Sequence, residues 1–151
     1  MAIRLFNVVC LAALVAFPAH GQFLPMPDHF VAMTTYGHYI TEDDVDQRTK
    51  LDLLLVQKQA SKEAVIGELA EDLIKIVKAE AAGLLSDALV DKAFADMCSR
   101  LGVAPVDLMK SLEEKGIRLD TLRIRLRSDV ARERLAHDYR DRLDHPLIPK
   151  M

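Results

Sequence analysis

The sequence predicts a mainly α domain of five helices, preceded by a short N-terminal β-hairpin or strand segment. Three observations carry that prediction. Apolar residues recur in steps of three and four through most of the chain after residue 44. Thr, Ser and Asp stand before these stripes and Gly after several of them, where helices start and stop. A stretch rich in β-branched and aromatic residues, Phe30 to Thr41, precedes them and is broken at Gly37, a short hairpin signal.

The first helix starts at Thr41. Its hydroxyl can cap free backbone N–H groups, and Glu42, Asp43 and Asp44 suit the positive end of the helix dipole. This helix is expected to run to about Gln59. A second carries Val65, Ile66, Leu69, Leu73, Ile76 and Val77 on one face and ends near Gly83. Ser86-Asp87 caps a third, with Val90, Phe94, Met97 and Leu101 a turn apart and Gly102 as its left-handed stop. Pro105 suits the first turn of a fourth, which carries Leu108, Met109 and Leu112 and stops at Gly116. Asp120 is expected to cap the fifth, which runs through Leu122, Leu126, Val130, Ala131, Leu135 and Tyr139 to about Leu143. Pro146 and Pro149 prevent its continuation, so residues 145–151 read as a flexible tail.

Residues 1–21 read as a secretory signal peptide. Arg4 is followed by a 13-residue apolar stretch, Leu5 to Phe17, interrupted only by Asn7. Pro18 ends it, and Ala19-His20-Gly21 offers a cleavage site before Gln22. As a helix the stretch covers roughly 20 Å, against about 30 Å of hydrocarbon, so no stable membrane span is expected after cleavage. Residues 22–29 read as a linker and 30–144 as the helical domain. Without Arg4 the remaining chain has 19 basic and 23 acidic residues, and an exported acidic chain argues against nucleic acid as a partner. One cysteine remains, Cys98, so no intrachain disulfide is available. It falls in an apolar stripe, where a buried thiol is expected.

The sequence carries few residue patterns suited to catalysis or metal binding. None of the five histidines stands at ligand spacing with another His or Cys, so no metal or other cofactor is expected. The Glu42 to Asp46 acidic run lacks the glycine and distal glutamate of a calcium loop. No phosphate loop or nucleophile elbow is present, and the chain is not expected to be an enzyme. Eight arginines between Arg118 and Arg142 are interleaved with acids, such as Asp129 four after Arg125 and Asp138 four after Arg134. They read as a solvated, ion-paired face. The informative feature is Leu53-Leu54-Leu55-Val56. At roughly 100° per residue these four side chains cover about 300° of the helix, more than one core can face. Either the helix is buried on two sides or it offers apolar surface to a partner. Met33, Met97 and Met109 add side chains that adapt to varied apolar partners.

In its ordered set of motifs the chain resembles the N-terminal domain of SurA-type periplasmic chaperones. The matching residues are Tyr36-Gly37, Ile40-Thr41, Asp44-Val45 and Arg48, then Ile66-Gly67-Glu68-Leu69 with Leu73-Ile74. Ser86-Asp87, Val90-Asp91 and Gly102-Val103 follow, and then Gly116, Asp120-Thr121-Leu122, Arg123 and Leu126-Arg127. The resemblance covers about residues 30 to 143. It departs at Tyr36, where the family has Asn, and no parvulin prolyl isomerase domain follows. It implies a periplasmic, ATP-independent holdase for unfolded or extended polypeptides, with outer-membrane proteins as clients and no isomerase activity. A packing element that the family supplies after this domain has no counterpart here, so the uncovered surface is expected to take client peptide or a second copy of the chain. The peptide-binding residues expected are Leu53, Leu54, Val56, Met97 and Met109. The alternative is an adaptor module for one specific partner, such as a separately encoded isomerase.

Overall fold

The computed structural model describes residues 29–144, apart from Thr35 and Lys58. The expected signal peptide, residues 22–28 of the linker and the tail after Asp144 lie outside the described residues. The elements run β1 (Phe30–Met33), β2 (Tyr39–Thr41), α1 (Glu42–Val56), α2 (Lys62–Ala81), α3 (Asp87–Leu101), α4 (Pro105–Glu114) and α5 (Leu119–Asp144). The architecture is thus mainly helical, with a two-stranded antiparallel sheet at its start.

The hairpin forms because the chain can turn tightly at Gly37, which has φ 78°. Thr34 N–H donates to the His38 carbonyl at 2.9 Å, and Met33 then pairs with Tyr39 and Ala32 with Ile40. Phe30 meets Tyr39 edge to face, with centroids 5.7 Å apart. Ile40 is buried and joins Val45, Val65 and Leu69 in a small core under the hairpin.

Thr41 caps α1 with a reciprocal pair of bonds. Its hydroxyl accepts from Asp44 N–H at 3.2 Å, and the Asp44 carboxylate accepts from Thr41 N–H at 2.9 Å. The helix stops at Val56, about three residues short of the expected Gln59, because Gln57 turns left-handed at φ 53°. Ser61 starts α2, its hydroxyl accepting from Ala64 N–H at 3.3 Å. Gly83 and Gly102 end α2 and α3 with positive φ, as their positions predict. Gly116, also left-handed, follows the α4 cap residue Lys115. Two helix starts differ from expectation. Ser86 stands at the α3 cap but makes no side-chain capping bond, and α5 begins one residue before Asp120, which lies in its first turn.

α5 runs against α1, α2, α3 and α4 and organises the larger core. Leu51, Val90, Cys98, Leu108, Leu112, Ile117, Leu122 and Leu126 form that core. The apolar stripe of α5 is buried as far as Ala131, but Tyr139, expected on the same stripe, is 63% exposed. After Ala131 the side chains of α5 are mostly exposed.

Candidate functional site

The apolar run at the end of α1 divides between core and solvent. Leu51 is buried, and Leu54 and Leu55, three and four residues on, pack against the larger core. Leu53 and Val56 lie on the opposite side and are 57% and 60% exposed. Two open notches flank this region. One, of about 370 Å³, is lined by Lys50, Leu53, Leu54, Gln57, Lys115 and Ile117. The other, of about 610 Å³, lies over Met109, Leu112, Ile117 and Leu119, with Glu113, Arg118 and Asp120 around it. Ile117, itself buried, is shared by both.

The residues that hold this floor were not singled out by sequence reasoning. Gln47 is buried on α1. Its amide nitrogen donates to the Gly116 carbonyl at 3.0 Å, and its amide oxygen accepts from Arg118 N–H at 2.8 Å. One side chain thus staples the α4–α5 turn to α1 and fixes Ile117 between the notches. Arg118 adds an ion pair to Asp43 and lies 3.7 Å from Asp44. The hydrogen bond to Asp43 raises its guanidinium pKa above the ordinary value, so it stays charged.

Of the five expected binding residues, the structure brings Leu53 and Leu54 to one notch and Met109, 37% exposed, to the other. Val56 is exposed one turn beyond Leu53. Met97 is not brought to them; it is half-buried against the larger core, where it serves as packing. Leu101, expected on the apolar stripe of α3, is 52% exposed, and Val103 and Val106, not expected as binding residues, are exposed beside it around the α3–α4 turn. The signal was present in Val106, which falls off the face that carries Leu108 and Leu112.

A second cluster is ionic. The Arg48 guanidinium is 2% exposed and reaches Asp52 at 2.9 Å, Asp72 at 3.0 Å and Glu68 at 3.7 Å. Asp72 also accepts from the Ser128 hydroxyl at 2.6 Å, and Arg125 lies 3.4 Å from Asp52. The cluster joins α1, α2 and α5, and among the described residues no buried side-chain nitrogen or oxygen lacks a partner. Its charges are spent on one another, so it is structural. Three of the seven arginines of α5, Arg123, Arg125 and Arg127, reach other helices. Arg123 pairs with Asp91 and Arg127 with Glu80 and Asp87. Hydrogen bonds to Glu80 first, and then to Asp87, raise the Arg127 pKa. The ion-paired face is present, but Asp138 pairs with Arg142 at 2.6 Å, not with Arg134.

Among the described residues no group of His, Cys, Asp and Glu could hold a metal ion, and no helix is long and apolar enough to cross a membrane. Comparison with known protein families, curated proteins and solved structures finds no match to this chain.

Proposed function

We propose that this protein binds unfolded or extended polypeptides reversibly and without nucleotide, as a chaperone-like module of the periplasm. The observation that carries the proposal is the exposed apolar surface of Leu53, Val56 and Met109 beside two open notches. Apolar surface of this kind on a small charged domain marks an interaction site. Burying such side chains stabilises a complex by about 25 cal/mol per Å², and an open notch accepts many sequences. The periplasmic location, the likeness to the SurA N-terminal domain and outer-membrane proteins as clients rest on the sequence motifs. The test is suppression of aggregation of several unrelated unfolded proteins. Protection of all of them, lost on Leu53→Asp with Val56→Asp, is expected; absence of protection refutes the proposal.

The adaptor alternative has one observation in its favour. Leu135, Tyr139 and Leu143 recur every fourth residue along the last turns of α5, and Tyr139 and Leu143 are exposed. Such a stripe fits a groove on one folded partner. Protection of a single partner, lost on Tyr139→Asp and not on Leu53→Asp, would favour it.

A further inference from the structure

The notch between α1 and the α4–α5 turn differs from its neighbour in charge. Around Leu53, Leu54 and Ile117 stand two lysines, Lys50 and Lys115, and the uncharged Gln57. Among the described residues no carboxylate lines it. The chain as a whole has a net charge of −3, so this cationic rim runs against the background. Lys115 forms no ion pair among the described residues. Lys50 lies 2.6 Å from Asp46, but both side chains are exposed. Such a pair contributes little, and an ammonium has two further protons to donate. The adjoining notch carries Glu113 and Asp120 beside Arg118, and so has no such bias.

We infer that this notch selects polypeptide segments in which a large apolar side chain is flanked by Asp or Glu. The apolar side chain enters over Leu53, Leu54 and Ile117, and the flanking carboxylates meet Lys50 and Lys115. The inference rests on the polypeptide-binding role and names the class of segment that fills this part of the surface. It also sets a direction for salt dependence. Exposed charges separated by more than about 8 Å are screened at physiological ionic strength, so the selectivity fades as salt rises while the apolar contribution persists.

The test uses the full chain and three labelled peptides with one apolar core, flanked by Glu, Ser or Lys. Their ends are acetylated and amidated, so that charge comes from side chains alone. Fluorescence anisotropy at low salt reads the Kd. Two exposed charge pairs predict binding of the Glu-flanked peptide about threefold to tenfold tighter than the Lys-flanked one, with the Ser-flanked peptide between. In Lys50→Glu with Lys115→Glu the order inverts or flattens, and the thermal melt holds because both lysines are exposed. Lys115→Gln alone gives a smaller shift in the same direction and serves where the charge reversal perturbs folding. An order unchanged by either variant overturns the inference. So does equal binding of all three peptides by the wild-type chain, and if Leu53→Asp then weakens all three, the polypeptide-binding role survives without the selectivity. Failure of every peptide to bind overturns both.

Discussion

Arg48 is a charged side chain enclosed within a domain of modest size. Isolating a guanidinium from water is costly, and the geometry offsets this with two carboxylates at 2.9 and 3.0 Å and a third at 3.7 Å. Its removal would leave Asp52 with Arg125 at 3.4 Å and Asp72 with the Ser128 hydroxyl and Lys75 at 3.6 Å, each short of its closest cation. We expect Arg48→Met to lower stability by about 3 kcal/mol, read as a fall in the urea midpoint with an unchanged slope. Gln47→Ala should act differently. It frees the Gly116 carbonyl and the Arg118 N–H and loosens Ile117. We expect a loss of about 1–2 kcal/mol, together with weaker peptide binding, because the floor of both notches moves. Neither role was legible in the sequence. Arg48 stands there only as part of the family resemblance and Gln47 not at all, because pairing across 24 and 69 positions has no local signature.

The helices themselves were largely legible because their signals are local. Thr41 with Asp44, Pro105 and the glycines at 83, 102 and 116 act within a turn of where they stand. The end of α1 differs from expectation because no glycine marks it; Gln57 takes the left-handed conformation instead. A non-glycine residue there costs roughly 1–2 kcal/mol, which glycine largely avoids. Gln57→Gly should therefore raise the melting temperature, with a net gain of about 0.5–1 kcal/mol by differential scanning calorimetry. The start of α2 carries a pH signature. The backbone N–H of Glu63 first, and then the Ser61 hydroxyl, hold the Glu63 carboxylate below its ordinary range. A depressed carboxylate pKa contributes stability above the unfolded value and loses it as pH falls through the folded one. The difference in melting temperature between wild type and Glu63→Gln should be largest near neutral pH and vanish in acid.

Buried packing and exposed apolar surface sit side by side on one helix, and this separates a structural defect from a functional one. Leu51 is enclosed in the larger core, whereas Leu53 and Val56, two and five residues on, face solvent. The sequence announced that four consecutive apolar residues could not share one core, and Leu53 and Val56 fall outside it. Which two would be outside depended on where α1 crosses α5, a tertiary fact. Leu51→Ala should cost about 2–5 kcal/mol, because it leaves a cavity that rigid neighbours cannot fill. Leu53→Ser with Val56→Ser removes no core contact and should leave the unfolding midpoint within about 0.5 kcal/mol of wild type. If the exposed pair serves binding, that double variant loses most of its protection of unfolded clients while remaining folded. Sedimentation at rising concentration adds an independent reading. A wild-type chain that covers this surface with a second copy should associate, and the double variant should stay monomeric. Equal protection by both proteins, with equal sedimentation, would place the binding surface elsewhere, with the exposed stripe of α5 as the next region to vary.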